Sequence, residues 1–262
     1  MKIIEFGKEN KDVIMMLHGG GLSWWNYRDI ARVLSDRYHV LLPVLDGHGD
    51  SGYAFSSIEN NASRLLSWID SHCDGEILAL CGLSLGGQVA LEMLMQRPAL
   101  CQYAFLESVQ IIPSLLTKVL IAPAFSFSYG FIRARWFAKL QFDYLRIPKR
   151  LFEEYYNDTC KISKDDLIGF TGASCTFTVR PEITEVTART RILVGSREQK
   201  SLIRSAKKLQ NLMSDSKLEV MDGYVHGELS LQHPERYCQM LLELLGKSVT
   251  KCVRFCNNAT DS

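Results

Sequence analysis

The sequence has almost no excess of either charge. Its 262 residues include 30 basic and 29 acidic side chains, which leaves a formal net charge of +1. No block of like charges stands out along the chain, so no bulk field would gather nucleic acid or an anionic membrane. The balance therefore argues against a nucleic-acid partner. It indicates a small-molecule substrate that is not selected by global electrostatics.

A long, clean hydrophobic run is also missing. The longest apolar stretch, residues 115–131, contains Lys118 and Pro123 and falls short of the roughly 20 apolar residues of a membrane span. The first ten residues, MKIIEFGKEN, are too short and too charged for a signal peptide. We therefore expect no integral membrane segment and a cytoplasmic location.

The eight cysteines lack any paired CxxC spacing. In a chain of this length, such scatter indicates reduced thiols that act as small apolar residues. Cys252 and Cys256 lie four positions apart near a polar end, but no other candidate ligands accompany them. A disulfide or metal role for this pair is therefore the less favoured interpretation.

What the sequence does contain is an alternation of short apolar runs with amphipathic segments. The run VIMML at 13–17 is continuous and ends in glycines, which is typical of a strand buried on both faces. This alternation predicts a mostly parallel, doubly wound α/β sheet covered by helices. The predicted strands are 13–17, 39–44, 77–81, 103–106, 191–194 and 218–221, and the predicted helices are 24–34, 58–69, 87–95, 201–212 and 234–245.

The alternation is interrupted by a segment that is rich in aromatic residues and has mostly helical spacing. We therefore predict a core formed by residues 1–110 and 187–250, a helical cap inserted at 111–186, and a polar C-terminal tail at 251–262. Ligands of open α/β sheets bind beyond the carboxyl ends of the strands. A cap over that edge would form the roof of a pocket.

The strongest local signal is the pentapeptide GLSLG at 82–86, which directly follows an apolar strand and directly precedes a helix. A GxSxG sequence alone is common by chance, but this context indicates a strained turn that exposes the hydroxyl of Ser84 above the sheet. The backbone N–H of Leu85 then begins the helix and points at developing negative charge. The alternative is an ordinary turn in which Ser84 caps a helix.

A second signal is His18, which is followed by three glycines directly after the first predicted strand. An oxyanion hole needs a donor from a loop that brings bare backbone close to the substrate, and consecutive glycines permit that approach. A plain glycine turn is the alternative. The position of His18 favours bracing of this loop by hydrogen bonds over a role as catalytic base.

The third signal is His226, just beyond the last predicted strand. A serine hydroxyl becomes a good nucleophile only when an imidazole accepts its proton. A loop after the final strand reaches the same carboxyl edge of the sheet as Ser84, whereas His39, His48, His72 and His233 begin or end other elements or lie in another turn. A merely structural role is the alternative for His226.

Together these residues resemble the α/β-hydrolase fold superfamily, over nearly the whole chain except the cap. The likeness is greatest to its small capped members, which include esterases, carbon–carbon bond hydrolases and MenH-like synthases. The resemblance implies that Ser84 is the nucleophile, that His226 is the base, and that the N–H groups of Gly20 and Leu85 form the oxyanion hole. It also implies a small acyl substrate and no cofactor. The turn DGHGDS at 46–51 matches a structural turn of the family at the edge of the cleft.

The acid of the triad is marked less clearly. The family usually places an Asp three residues after the glycine that ends the strand following the cap, and Glu198 occupies that position after Gly195. Its interval of 28 residues to His226 is typical of the family. Glu107 is the main rival because a second acid location is known after the preceding strand of this fold. Asp222 is a further rival.

The predicted function is a serine hydrolase that cleaves a small ester or related acyl substrate through an acyl-enzyme at Ser84. Arg133 and Arg135 could meet a substrate carboxylate. The alternatives are a carbon–carbon hydrolase or MenH-like lyase acting on a small carboxylated metabolite, and a non-catalytic ligand-binding homologue. The sequence specifies no oligomeric state. An apolar pocket roof is predicted from the aromatic residues of the cap, which are Phe125, Phe127, Tyr129, Phe131, Trp136, Phe137 and Phe142.

Overall fold

The computed structural model describes residues 1–247, apart from the side chains at positions 115–119, 122, 126–128 and 144. Cys252, Cys256 and the predicted tail at 251–262 therefore lie outside the described residues. No helix within residues 1–247 is both long enough and apolar enough to cross a membrane.

A seven-stranded sheet forms the centre of the molecule, with the strand order β1-β3-β2-β4-β5-β6-β7. The β1 strand pairs antiparallel with β3, and all other neighbouring strands are parallel. The predicted fold class is therefore confirmed. The strands are β1 (Ile3–Phe6), β2 (Val13–Leu17), β3 (His39–Pro43), β4 (Ile77–Leu83), β5 (Cys101–Glu107), β6 (Arg189–Gly195) and β7 (Ser216–Met221).

Ten α-helices and three short 3-10 helices surround the sheet within the described residues. The α-helices are α1 (Arg28–Leu34), α2 (Ile58–His72), α3 (Leu85–Gln96), α4 (Leu115–Ile132), α5 (Arg135–Tyr144), α6 (Phe152–Lys161), α7 (Lys164–Thr176), α8 (Lys200–Leu212), α9 (Glu228–Gln232) and α10 (Pro234–Leu244). The 3-10 helices are Trp24–Tyr27, Lys149–Leu151 and Pro181–Glu185.

The β2 strand shows why the sheet is covered on both faces. Met15 and Leu17 belong to an apolar cluster that includes side chains of α2, α3 and α8. Ile14 and Met16 point to the other face and join a cluster with side chains of α1 and α10. Because successive side chains of a strand alternate between faces, a continuous apolar run requires helices on both sides.

The helical cap is inserted between β5 and β6 and contains α4 to α7. Its α6 helix is tied to the core by polar contacts. Asp158 accepts a hydrogen bond of 3.0 Å from the indole of Trp25, and Lys161 forms an ion pair of 3.0 Å with Asp50. The α7 helix is capped at its N-terminus by Ser163, whose hydroxyl accepts the N–H of the third residue of the helix at 3.0 Å.

Two elements are absent from the sequence-based assignment, and one predicted helix is partly wrong. The β1 strand was not predicted because it is held by long-range pairing with β3 at the edge of the sheet and not by a local pattern. The five-residue α9 is too short to show a helical period. The predicted helix 24–34 begins as the 3-10 helix Trp24–Tyr27 and becomes α-helical only at Arg28.

Candidate active site

Ser84 lies in a strained turn between β4 and α3. Its φ of 51° and ψ of −113° are unfavourable for a residue with a side chain. Glycines allow the strand and helix to pass at close range: a Cβ on Gly86 would lie 2.1 Å from the carbonyl oxygen of Leu17. The N–H of Ser84 donates to the carbonyl of Glu107 at 2.9 Å. The turn therefore holds a half-buried serine at the carboxyl end of a central strand.

The glycine loop packs against the start of α3. A Cβ on Gly20 would lie 3.5 Å from the side chain of Leu85, so the two residues are neighbours in space. Leu85 is the first residue of α3, and its N–H has no partner inside the helix. Among the residues that the structure describes, no hydrogen bond engages the N–H of Gly20 or that of Leu85. Two unengaged donors thus lie beside the serine turn.

Two buried histidines support the loops around these donors. His18 donates from Nδ1 to the carbonyl of Gly19 at 2.9 Å and accepts the N–H of Leu45 on Nε2 at 3.1 Å. His48 accepts the N–H of Gly21 on Nε2 at 3.0 Å. Burial lowers the pKa of His18 to about 3 and that of His48 to about 4. Both rings are therefore neutral supports of the loop. The support from His48 was not anticipated from its turn sequence.

Glu198 and His226 form a direct pair at the same edge of the sheet. Oε2 of Glu198 lies 2.9 Å from Nδ1 of His226. The carboxylate is buried, and its other oxygen accepts hydrogen bonds of 2.7 Å from the N–H of Gly195 and from the hydroxyl of Ser108. Because these three contacts satisfy the buried carboxylate, they fix its orientation toward the imidazole. The His226 side chain is 41% exposed, so the ring remains accessible.

Ser108 is a supporting residue that the sequence reasoning missed. It follows β5 with a φ of 57°. Its hydroxyl donates to Glu198 and lies 3.3 Å from the N–H of Gly227. The serine therefore links the acid to the loop that carries the histidine. The available signal was a hydroxyl residue directly after a strand whose carboxyl end meets the site.

The two rival acids have partners other than His226. Glu107 accepts the backbone N–H groups of Leu229 at 3.0 Å and Ser230 at 3.4 Å, so it braces α9. Burial raises the pKa of Glu107 to about 7. Asp222 is exposed and is contacted by the hydroxyl of Ser196 at 3.2 Å. Within the described residues, neither carboxylate is hydrogen-bonded to His226.

The histidine loop lies against the serine turn. A Cβ on Gly227 would be 3.2 Å from the side chain of Leu83, so the residue after His226 touches the residue before Ser84. Among the described residues, however, no hydrogen bond joins the hydroxyl of Ser84 to the ring of His226. Ser84 and His226 thus lie on neighbouring turns, without a hydrogen bond between their side chains.

Two cavities flank this edge of the sheet, and Leu145 lines both. The cavity under the cap has a volume of about 630 Å³ and reaches the glycine loop, and none of the described side chains that line it is charged. The second cavity, of about 610 Å³, adjoins His226. The cap cavity is lined by Gly20, Gly21, Phe125, Tyr129, Ile132, Phe137, Leu140, Gln141, Leu145, Tyr155, Thr159, Ile162, Leu167, Phe170 and Thr171.

Several cap residues differ from the expectation of an aromatic pocket roof. Phe131 and Trp136 are 45% and 64% exposed, and Phe142 is buried in the apolar core. The side chain of Phe127 lies outside the described residues. Neither arginine that was considered for a substrate carboxylate lines the cap cavity. Arg135 is exposed and forms an ion pair with Glu153, and Arg133 is exposed at the surface.

No cluster of three or more His, Cys, Asp or Glu residues in the described part of the chain is arranged to hold a metal ion. This edge of the sheet offers a strained serine, an oriented imidazole and two unengaged N–H groups.

Comparison with known proteins bears on the family and the fold of the chain. The sequence matches the alpha/beta hydrolase family over residues 14–239. An AB hydrolase superfamily protein of Gibberella zeae is 29% identical over 133 residues, which cover 49% of this chain and 45% of that protein. The chain thus spans less than half the length of this curated relative.

Solved structures are similar over nearly the whole chain. MenH from S. aureus has a TM-score of 0.74 and 21% identity, covering 94% of this chain and 97% of that chain. A thermophilic esterase from Thermogutta terrifontis has a TM-score of 0.70 and 20% identity, covering 94% and 92%. At these identities the likeness shows the fold. Because the family match extends over most of its length, this chain belongs to the alpha/beta hydrolase family.

Proposed function

We propose that the protein is a serine hydrolase that cleaves a small ester through an acyl-enzyme at Ser84. The observation that carries the proposal is the 2.9 Å hydrogen bond between Glu198 and His226, beside the strained serine turn. Ser84 attacks the carbonyl carbon while His226 takes its proton. The imidazole returns the proton to the leaving alcohol, and a water molecule then releases the acid by the same relay. Glu198 holds the ring and stabilises its protonated form.

The unengaged N–H groups of Gly20 and Leu85 support an oxyanion hole. The attacked carbonyl oxygen becomes negatively charged, and donors that are already oriented stabilise that charge without reorganising. Each such donor typically contributes about 10²- to 10³-fold in turnover. The neutral state of His48 matters here, because its Nε2 accepts the N–H of Gly21 and so helps to fix the loop.

The missing contact between Ser84 and His226 is consistent with a site that tightens around its substrate. Catalytic hydrogen bonds are often long or poorly aligned before substrate binds. His226 is partly exposed and precedes Gly227, which has a φ of 70° and is the N-cap residue of the short helix α9. A rotation of the serine side chain or a small shift of this loop would complete the relay.

The cap cavity supports an uncharged, apolar acyl group. A carboxylate placed there would lose its hydration without gaining a cationic partner among the described side chains that line the cavity, because none of them is charged. This composition disfavours a carboxylated metabolite in the cap cavity and favours a carboxylesterase type of reaction.

The test is hydrolysis of 4-nitrophenyl esters by the wild type and by Ser84→Ala, together with labelling by a fluorophosphonate. We expect Ser84→Ala to lose labelling and to lower kcat/KM by about 10³- to 10⁶-fold. Ser71→Ala, which changes an exposed serine of α2, is the matched control and should keep both. Undiminished turnover by Ser84→Ala would overturn the proposal. A folded wild type with neither labelling nor turnover would favour a ligand-binding role.

A further inference from the structure

The position of the proposed base, His226, indicates which cavity would hold the leaving group and which would hold the acyl group. His226 must deliver a proton to the leaving oxygen, so the leaving group has to lie on the histidine side of the scissile bond. The cavity of about 610 Å³ adjoins His226 and Glu198. The cavity of about 630 Å³ reaches Gly20 and Gly21 on the oxyanion side. The cavity beside His226 is therefore suited to the alcohol, and the cap cavity is suited to the acyl group.

The two cavities differ in their described lining, because charged side chains line only the cavity beside His226. Two arginines, Arg146 from the cap and Arg197 from the loop after β6, line the cavity beside His226. Its carboxylates are already engaged. Glu198 accepts three hydrogen bonds, and Asp143 lies 3.5 Å from Lys139. Within the described residues, neither carboxylate forms an ion pair with Arg146 or Arg197.

Arg197 is the more available of the two cations. Its backbone is fixed, because its N–H donates to the carbonyl of Tyr224 at 3.0 Å. Within the residues that the structure describes, no ion pair or hydrogen bond engages its guanidinium. Arg146 is 3.6 Å from Glu228, whose carboxylate also accepts the N–H of Val225 at 2.9 Å. A planar guanidinium without a partner matches the geometry of a carboxylate or a phosphate.

Resting on the proposed ester hydrolysis, we propose that the cavity beside His226 is a leaving-group subsite for an anionic alcohol, with Arg197 as its specificity-determining residue. The substrate class is then an ester whose acyl part is apolar and whose alcohol part bears a carboxylate or a phosphate. Arg146, which is paired with Glu228, lines the cap side of the same cavity. The two halves of such a substrate match the two cavities.

The test compares two chromogenic esters with the same acyl group. The leaving group is neutral in 4-nitrophenyl butanoate and carries a carboxylate in 4-butanoyloxy-3-nitrobenzoate. We expect Arg197→Gln to lower kcat/KM about tenfold for the anionic ester and less than about twofold for the neutral one, because only the former loses a charge-assisted contact. Both esters give the same acyl-enzyme, so the effect belongs to kcat/KM and not to deacylation.

Two further variants act as controls. Arg204→Gln removes an exposed arginine of α8 that does not line the cavity and should change neither ester. Arg197→Lys should restore part of the preference, since it keeps the charge but not the fork geometry. Equal losses on both esters, or no change on either, in Arg197→Gln would overturn the subsite.

A binding experiment separates the failure of this proposal from a failure of the proposed hydrolysis. The alcohol products, 4-hydroxy-3-nitrobenzoate and 4-nitrophenol, are titrated calorimetrically into the wild type and Arg197→Gln. The subsite predicts tighter binding of the carboxylated product to the wild type and loss of that difference in the variant, whether or not either ester turns over. Equal binding of both products to the wild type would contradict it. Competition between glycerol 3-phosphate and the carboxylated product for the wild type is then measured in the same way. It distinguishes a site for a phosphate from a site for a carboxylate.

Discussion

The turn around Ser84 is closely packed and leaves no space for a Cβ on Gly86, whereas the cap encloses an apolar cavity of about 630 Å³. In the core, a Cβ on Gly86 would clash with the backbone carbonyl of Leu17, and buried neutral histidines fix the glycine loop. In the cap, an apolar cavity opens beneath helices that leave Trp136 exposed. The contrast suggests that the core supplies the chemistry and that the cap selects the acyl group.

The largest expected effect is the loss of activity on substitution of Glu198, the proposed acid in the core. We expect Glu198→Gln to lower kcat/KM by about 10³- to 10⁴-fold with 4-nitrophenyl esters, because the amide cannot stabilise the protonated imidazole. Asp222→Asn, at the exposed rival acid, should stay within about threefold of the wild type. An equal loss in both variants would show that Glu198 is not the orienting acid.

The second prediction contrasts a core glycine with a cap glycine. Gly86→Ala would place a methyl group 2.1 Å from the carbonyl of Leu17, so we expect a loss of more than about 3 kcal/mol in the free energy of unfolding or no folded protein. Gly172→Ala, in α7, has open space around its Cβ and should be neutral or stabilising by about 0.5–1 kcal/mol. Urea denaturation measures both. Similar losses in the free energy of unfolding of the two variants would contradict this difference in packing between the core and the cap.

The third prediction uses the buried carboxyl of Glu107. Its pKa is raised by burial to about 7, so the folded state holds a proton that the unfolded state releases at a lower pH. The free energy of unfolding should therefore fall as pH rises from the ordinary carboxyl range through about 7. Glu107→Gln can still accept the N–H groups of Leu229 and Ser230.

The variant should remove part of this decline, on the order of 1–3 kcal/mol between about pH 5 and about pH 8. Urea unfolding at both pH values provides the measurement for the wild type and the variant. An identical pH dependence in the two proteins would show that Glu107 is ionised in the folded state at neutral pH.

The smallest effect is expected in the cap. Thr171→Trp would fill part of the cavity beneath α7, so kcat/KM for an octanoate ester should fall about tenfold while that for an acetate ester stays within about twofold. Thr184→Trp, at an exposed position outside the cavity, is the matched control. An unchanged preference for acyl length in Thr171→Trp would mean that the acyl group does not occupy this cavity.

The sequence predicts most of the core because its signals there are local. A buried strand followed by GLSLG defines the serine turn through its own glycines. The position of Glu198 after Gly195 follows from the family pattern. The helical nature of the cap follows from the loss of strand signals over about 70 residues.

The remaining features depend on contacts between residues distant in sequence. Ser108 reaches Glu198 across 90 positions, and His48 reaches Gly21 across 27. No spacing rule marks such partners. The same holds for the cap, where composition does not reveal that Trp136 faces solvent while Tyr129 faces the cavity.

The central claim is a covalent acyl group on Ser84 during turnover, and direct trapping tests it best. The protein would be mixed with a 4-nitrophenyl ester, quenched in acid within the first turnovers, digested and analysed by mass spectrometry. We predict an added acyl mass on the peptide containing Ser84. Steady turnover with no acylated peptide, or with the acyl group on a different residue, would contradict the account.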